Sequence, residues 1–213
     1  MSTPGAAAAQ TELDRWNTRY SQSEYVFGKE PNAFLASKAG LLRSGMSALS
    51  IADGEGRNGV WLAAQGLQVT AFDFSPPALI KARQLAAERG VEVNFEHGDI
   101  MGWRWPRESF DVVVAIFVQF ADPEMRAVQF ARMQSSVKPG GLILLQGYTP
   151  KQLEYKTGGP SLLDHLYTRE LLEHSFAAME ILEMSEYERE LNEGARHSGM
   201  SAVIDLVARK PLS

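Results

Sequence analysis

A glycine-rich turn and a carboxylate that follows it are the residues of this chain best suited to hold a ligand. Gly54 and Gly56 lie in the segment Ala52-Asp53-Gly54-Glu55-Gly56-Arg57-Asn58-Gly59, directly before a short helical pattern. Glycine lets a ligand contact the main chain, and the start of a helix adds unpaired N–H groups. Asp73 ends the next apolar strand, 17 residues after Gly56, where a carboxylate can accept both hydroxyls of a ribose. Loop, spacing and acid together indicate nucleoside binding.

The elements that position these residues follow from the apolar pattern. From residue 32 onward, short aliphatic runs alternate with segments of helical period, which is typical of a parallel α/β sheet. Strands are predicted over Ala48–Ala52, Gln68–Asp73, Glu92–Glu96, Asp111–Phe117, Leu142–Gln146, Met179–Leu191 and Met200–Arg209. The last two flank a turn-rich stretch, so we expect them to form an antiparallel hairpin.

Composition limits the classes of function that the chain can have. Its 213 residues predict one domain, and 45% hydrophobic with 22% charged residues are typical of a globular protein. The chain has no cysteine, which excludes disulfides, thiolate metal sites and a protein thiol as nucleophile. The net charge of -5 argues against nucleic acid or an anionic membrane as partner. The histidines show no mutual ligand spacing, so no metal site is predicted.

The chain start and the longest apolar run predict the location of the protein. Residues 1–10 contain four alanines but no basic residue, so they fail as a secretion signal, and we expect a disordered tail. The longest apolar run, Val112 to Val118, is far too short to cross a bilayer. These features predict a cytoplasmic protein that acts without a membrane. No oligomeric state is predicted.

A nicotinamide-dependent reductase is the first enzyme class that these motifs fit formally. Gly54, Gly56 and Gly59 satisfy the G-x-G-x-x-G fingerprint, and Tyr25 with Lys29 has the Tyr-x-x-x-Lys spacing of short-chain reductases. That pair, however, precedes the first strand and is interrupted by glycine, which argues against the helix that would align it. The C-terminal hairpin is also foreign to a doubly wound reductase.

Further motifs identify a different family. They are Trp16-Asn17-Thr18-Arg19-Tyr20, Tyr25-Val26-Phe27-Gly28, Glu30-Pro31-Asn32, Gly54-Glu55-Gly56-Arg57-Asn58, Phe72-Asp73, Gly98-Asp99-Ile100, Lys138-Pro139-Gly140-Gly141 and Thr157-Gly158-Gly159-Pro160. With these the chain resembles the class I S-adenosylmethionine-dependent methyltransferases, and among them the small bacterial tellurite-resistance and thiopurine-type enzymes.

The resemblance implies a fold and a division of the chain. The fold is an α/β Rossmann-like three-layer sandwich, whose seven-stranded mixed sheet has the order 3-2-1-4-5-7-6 with strand 7 antiparallel. Residues 11–213 then form a single methyltransferase domain, with an N-terminal helical cap over residues 11–45.

The resemblance also assigns residues to the cofactor, S-adenosyl-L-methionine, and its product, S-adenosyl-L-homocysteine. The glycine loop would hold the methionine part, Asp73 the ribose, and Asp99 the adenine amino group with Ile100 beside the ring. The implied cofactor-binding residues are Ala52, Gly54, Gly56, Asn58, Asp73, Phe74, Asp99, Ile100, Ala115, Phe117, Tyr25 and Phe27. Asp99 has a second interpretation, since it could simply cap its own turn.

The acceptor of the methyl group is expected to be a small molecule, most plausibly with a soft sulfur, selenium or tellurium nucleophile, which needs little or no base. Trp16, Tyr20, Gln119, Tyr148 and Tyr155 are candidates for its pocket. His197 is the candidate base, at a position resembling a histidine of the tellurite-type enzymes; the alternative is a solvated loop histidine.

Two departures from the family pattern leave another function open. The pattern usually begins with an acid and an early glycine, which correspond here to Ser50 and Ala52. Serine removes a carboxylate that often braces the loop, and alanine adds a methyl group where the backbone approaches the ligand. A non-catalytic cofactor-binding protein of the same fold is therefore the third hypothesis.

Overall fold

The computed structural model describes residues 4–194 and 197–212. Its strands are β1 (Ser47–Ile51), β2 (Gln68–Asp73), β3 (Asn94–His97), β4 (Phe110–Ile116), β5 (Val137–Tyr148), β6 (Glu180–Asn192) and β7 (Ser198–Arg209). Its helices are α1 (Pro4–Tyr20), α2 (Ala33–Ser37), α3 (Arg57–Ala64), α4 (Pro76–Arg89), α5 (Pro123–Ser136), α6 (Gln152–Tyr155) and α7 (Arg169–Ser175).

The seven strands form one mixed sheet with the order β3-β2-β1-β4-β5-β7-β6. Strands β1 to β5 pair in parallel, and β7 is antiparallel to both of its neighbours, β5 and β6. The predicted fold class, strand order and antiparallel seventh strand are therefore confirmed. Strand β6 forms one edge of the sheet, and five of its 13 residues are glutamates.

Apolar residues cover both faces of the sheet, which explains the continuous aliphatic runs of its central strands. In β4, Val112 and Val114 pack with Leu35 of α2 on one face. Val113 and Ala115, the alternating residues, pack with Phe130 of α5 on the other face. The sheet is therefore the middle layer of three, and its core is made by residues of alternating direction.

The N-terminal region differs from the sequence prediction in its helices. Helix α1 starts at Pro4, so residues 4–10 are helical where a disordered tail was expected, and residues 1–3 lie outside the described part. Consecutive alanines explain this, because alanine has the highest helix propensity. Asn32 caps α2 through Leu35 N–H at 3.0 Å, but the helix gives way after Ser37 to a short 3-10 turn. In the described part of the chain, no helix is long and apolar enough to cross a membrane.

Candidate active site

The turn between β1 and α3 brings the main chain to the carboxyl end of the sheet. Gly54 and Gly56 both have positive φ angles, +58° and +90°, which explains why glycine is needed at these positions. A Cβ atom on Gly56 would lie 2.8 Å from Cβ of Ala82 in α4. Gly56 therefore serves the packing of the turn against α4, whereas Gly54 faces the cavity described below.

Asp73, at the end of β2, lies beside this turn. Its Oδ2 accepts a hydrogen bond from Gly54 N–H at 2.9 Å, and its Oδ1 accepts one from Ser75 N–H at 2.9 Å. Burial raises the pKa of Asp73 to about 6, against the opposing effect of its backbone hydrogen bonds. The carboxylate is thus fixed by two N–H groups at the point where the sequence predicted a ribose-binding acid.

A cavity of about 100 Å³ lies over the turn and the ends of β1, β2 and β4. It is lined by Trp16, Tyr20, Phe27, Ala52, Asp53, Gly54, Arg57, Asn58, Asp73, Phe74, Ile116, Phe117, Val118, Phe120 and His197. Ten of these were assigned from the sequence to the cofactor, the acceptor or catalysis. The other five, Asp53, Arg57, Ile116, Val118 and Phe120, were not assigned individually. For Asp53 and Arg57 the available signal was their position in the glycine segment.

Aromatic rings from four parts of the chain form the cavity wall. Trp16 and Tyr20 of α1 stack with centroids 5.3 Å apart, and Phe27 lies 6.1 Å from Trp16. His197 lies between Phe27 and Phe117, at centroid distances of 4.5 and 4.4 Å. The N-terminal region and the hairpin connection therefore close the cavity together.

A hydrogen bond at the end of β2 holds α1 over the cavity. Ser75 is the N-cap residue of α4, but its side chain makes no capping bond, and its Oγ instead donates to Asn17 Oδ1 at 2.6 Å. Asn17 lies one residue after Trp16, so the bond anchors this part of α1 beside Asp73.

Eight residues assigned from the sequence lie outside the cavity lining. Gly56 packs on α4, and Ile100 and Ala115 belong to the buried core. Tyr25 donates to the carbonyl of Lys81 at 3.0 Å, and Tyr155 donates to the Glu188 carboxylate. These five residues therefore make their contacts outside the cavity, with apolar core residues or with other polar groups.

The remaining three are Asp99, Gln119 and Tyr148. Asp99 accepts hydrogen bonds from Met101 N–H and Gly102 N–H at 2.7 and 2.6 Å, so it caps its own turn, the second of the two sequence interpretations. Gln119 donates to the carbonyl of Tyr148 at 2.9 Å. The Tyr148 ring stacks on Phe117 at 4.6 Å, behind the cavity wall.

His197 is an uncharged group near neutral pH. Burial, with a smaller contribution from the Arg57 guanidinium, lowers the pKa of His197 to about 3. The residue is 8% exposed, and its Nδ1 has no hydrogen-bond partner among the described residues. It is therefore not a solvated loop histidine, and its lowered pKa disfavours the predicted role as base, since a general base works best with a pKa near the working pH.

A buried ion pair connects α3 to the hairpin connection. Arg57 Nη1 lies 2.8 Å from Glu193 Oε2, and the two side chains are 8% and 9% exposed. Glu193 Oε1 also accepts from Ala33 N–H at 3.0 Å, and Asn32 Nδ2 donates to both Glu193 oxygens at 3.1 Å. Glu193 N–H donates to the carbonyl of His197 at 2.8 Å, so this network fixes the loop that carries His197.

Two non-glycine residues of the cavity wall have left-handed backbone conformations. Ala52, after β1, has a φ angle of +46°, and Phe117, after β4, has one of +56°. Such conformations cost non-glycine residues about 1 kcal/mol or more, and they are often found at functional sites. The side-chain methyl group of Ala52, which was expected to obstruct the approach of a ligand to the glycine loop, is thus accommodated by strain in the main chain.

We expect Ala52→Gly to stabilise the protein by about 0.5–1 kcal/mol, because glycine adopts a positive φ without strain although it loses more entropy on folding. Urea unfolding would measure the change in the free energy of unfolding. Ala48→Gly on the same strand is the control, and it should destabilise by about 1 kcal/mol. A loss of stability in Ala52→Gly as large as in the control would contradict the assignment of strain.

Comparison with known proteins relates part of this chain to a known kind of domain. Residues 48–141, from β1 into β5, match the family described as a methyltransferase domain. This segment contains the glycine turn and Asp73. The match covers less than half of the chain and shows that this segment is similar to a methyltransferase domain, and the strand order is that of the predicted Rossmann-like fold.

Particular relatives share parts of the sequence or the whole fold. Demethylmenaquinone methyltransferase of Thermus thermophilus is 34% identical over 106 residues, 48% of this chain and 47% of that protein. That of Deinococcus radiodurans is 30% identical over 119 residues, 54% of this chain and 48% of that protein. The chain thus spans about half the length of the curated relatives it matches.

Solved structures resemble the chain over nearly its full length. One, from work on the conversion of a disulfide bond into a thioacetal group during echinomycin biosynthesis, has a TM-score of 0.75 and 19% identity and covers 95% of this chain and 94% of that one. TehB from Haemophilus influenzae has a TM-score of 0.67 and 18% identity, covering 93% of this chain and 67% of that one. N-methyltransferase NodS from Bradyrhizobium japonicum, in complex with S-adenosyl-L-homocysteine, has a TM-score of 0.69 and 16% identity. The likeness covers 93% of this chain and 98% of that one. At these identities the likeness shows the fold.

Proposed function

We propose that the protein is an S-adenosylmethionine-dependent methyltransferase of a small-molecule acceptor. The observation that carries this proposal is the Asp73 carboxylate, fixed by Gly54 N–H at the cavity between the glycine turn and the aromatic wall. The match of residues 48–141 to a methyltransferase domain supports it. The described residues suit the chemistry of the cofactor, because a carboxylate, a glycine turn and flat aromatic surfaces meet in one cavity. The cavity, at about 100 Å³, must widen to admit a ligand of that size.

When bound, the cofactor supplies a methyl group on a positively charged sulfur, which a nucleophile displaces in line. The protein then has to align the reactants and exclude water. In our proposal Asp73 accepts hydrogen bonds from the ribose hydroxyls, and the turn at Gly54 faces the methionine part. Trp16, Tyr20 and Phe27 cover the site, so their rings exclude water from it.

Isothermal titration calorimetry separates this function from the two alternatives. We expect saturable binding of S-adenosyl-L-homocysteine and no binding of NAD(H) or NADP(H). Binding of nicotinamide cofactors alone would instead support the reductase. Tyr25 and Lys29 argue against that class, since the Tyr25 hydroxyl donates to Lys81 outside the cavity. Cofactor binding without methyl release from labelled S-adenosylmethionine, across a full acceptor panel, would favour the non-catalytic protein.

For the acceptor we propose a soft sulfur, selenium or tellurium nucleophile. Such a nucleophile needs little help from a base, and the pKa of His197, about 3, makes this histidine a weak base. Because the chain has no cysteine, an attacking sulfur must belong to the acceptor. The cytoplasmic location stays a prediction from the sequence.

A ring carbon of a quinol-like acceptor is the second candidate. The aromatic wall made by Trp16, Phe27, Phe117 and Phe120 favours a flat apolar ring, and the two curated relatives are demethylmenaquinone methyltransferases. Methyl transfer measured side by side on thiols, selenite, tellurite and soluble naphthoquinols distinguishes the candidates. Turnover of the naphthoquinols alone would contradict the soft-nucleophile proposal.

The variant His197→Gln tests whether a base is needed. With a soft acceptor we expect kcat to stay within about threefold of wild type from pH 6 to 9, because the neutral imidazole of His197 contributes little proton transfer. Steady-state assays with the best acceptor would measure it. A fall of about 100-fold at every pH, with unchanged affinity for S-adenosyl-L-homocysteine, would instead make His197 the base that the sequence predicted.

A further inference from the structure

Asp53 carries a buried carboxyl group beneath the glycine turn. Its Oδ1 and Oδ2 lie 3.1 and 3.2 Å from Gly59 N, which donates to them, and Ser50 Oγ donates to Oδ1 at 2.6 Å. Ser50 belongs to β1 and Gly59 to α3. The side chain of Asp53 thus ties the strand before the turn to the helix after it.

The start of α3 requires this contact. Gly56 is the N-cap residue of α3 and makes no side-chain capping bond, so the N–H groups of the first turn need another acceptor. An N-cap side chain ordinarily accepts from the second or third residue of the helix. Gly59 is that third residue, and its N–H donates to the side-chain carboxylate of Asp53 instead.

Gly59 is suited to this arrangement because it has no side chain. A Cβ atom there would lie 2.6 Å from Asp53 Oδ2 and 3.4 Å from Asp53 Cγ. The residue does not have a positive φ, so close approach of the carboxyl explains the glycine. Gly59, noted in the sequence only as the third glycine of a dinucleotide fingerprint, therefore has a different use here.

We propose that Ser50, Asp53 and Gly59 form a brace that holds residues 53–58 in the conformation that binds the cofactor. The carboxylate that the family pattern places at position 50 is supplied in this chain from position 53. Asp53 is then a positioning residue, which acts through Gly54 and Asn58 in the cavity wall. For the identity of the ligand, the inference rests on the proposed function.

Moving the carboxylate back to the strand tests the brace. We expect Asp53→Ala to weaken S-adenosyl-L-homocysteine binding about 10-fold, the effect of losing one helix cap. The double variant Ser50→Asp/Asp53→Ser should recover the affinity to within about threefold of wild type. Calorimetry gives the affinities, and circular dichroism confirms that each variant is folded.

The control is Asp111→Ala. Asp111 also holds a serine and a backbone N–H, both of Ser47, but at the opposite end of the sheet. Its loss should lower the Tm without changing the affinity. Wild-type affinity in Asp53→Ala, or no recovery in a folded double variant, would overturn the brace.

Amide hydrogen exchange separates failure of the brace from failure of the proposed function. If the wild type binds no S-adenosyl-L-homocysteine, the proposed function is wrong. The brace still predicts that Asp53→Ala speeds exchange at Gly59 N–H, that Ser50→Asp/Asp53→Ser slows it again, and that Asp111→Ala leaves it unchanged. Equal exchange at Gly59 in wild type and Asp53→Ala would contradict the brace itself.

Discussion

Replacing Asp73 with alanine should weaken S-adenosyl-L-homocysteine binding about 100-fold. Two charge-assisted hydrogen bonds to ribose hydroxyls would be lost, and each contributes about 1.5 kcal/mol or more. The variant also removes the acceptor of Gly54 N–H and Ser75 N–H, so the turn itself loses support. Calorimetric titration of the folded variant measures the effect.

Asp99→Ala is the matched control for Asp73→Ala. Asp99 follows the neighbouring strand, but its carboxylate caps its own turn and lies outside the cavity lining. We therefore expect its loss to change the affinity less than about threefold. A large effect at Asp99 would support the adenine contact that the family resemblance implies, whereas unchanged affinity in Asp73→Ala would refute the ribose contact.

Replacing Glu193 with alanine should lower the free energy of unfolding by about 3–5 kcal/mol, because it leaves the Arg57 guanidinium buried without its partner. Ala33 N–H and Asn32 Nδ2 would also lose an acceptor. Urea unfolding measures the change. The double variant Arg57→Met/Glu193→Leu, which removes both charges, should recover part of the loss.

Glu30→Ala provides the comparison for Glu193→Ala. Glu30 pairs with Arg89 at 2.6 Å, but the two side chains are 80% and 46% exposed. An exposed ion pair contributes little, so the loss should stay below about 1 kcal/mol. Equal destabilisation by the two substitutions would mean that burial of the Arg57–Glu193 pair has no energetic consequence.

The strands and the ribose-binding candidate could be predicted because their signals are local. A run such as Val112–Val118 is apolar on both faces of a strand, and a glycine turn followed by Asp73 needs only the parallel order of β1 and β2. The helices that follow Ser75 and Asp122 begin at Pro76 and Pro123, as proline at the first helical position indicates.

The closing side of the cavity could not be predicted in the same way. Tyr25 and Phe27 belong to a loop without periodicity, so the sequence does not tell which ring faces inward. The Arg57–Glu193 pair joins residues that are distant in the chain, and no local pattern indicates such a contact. The missing acid at Ser50 was visible, but the bond from Ser50 to Asp53 depends on the shape of the turn.

The glutamates of β6 have a consequence for self-association. The outer edge of a peripheral strand can pair with a strand of another molecule, and charged side chains oppose such pairing. Two copies that met edge to edge through Glu180–Asn192 would bring ten carboxylates together, five from each β6 strand. Electrostatic repulsion would then keep the copies apart at low ionic strength, and salt or acid would weaken this protection against growth of a continuous intermolecular sheet.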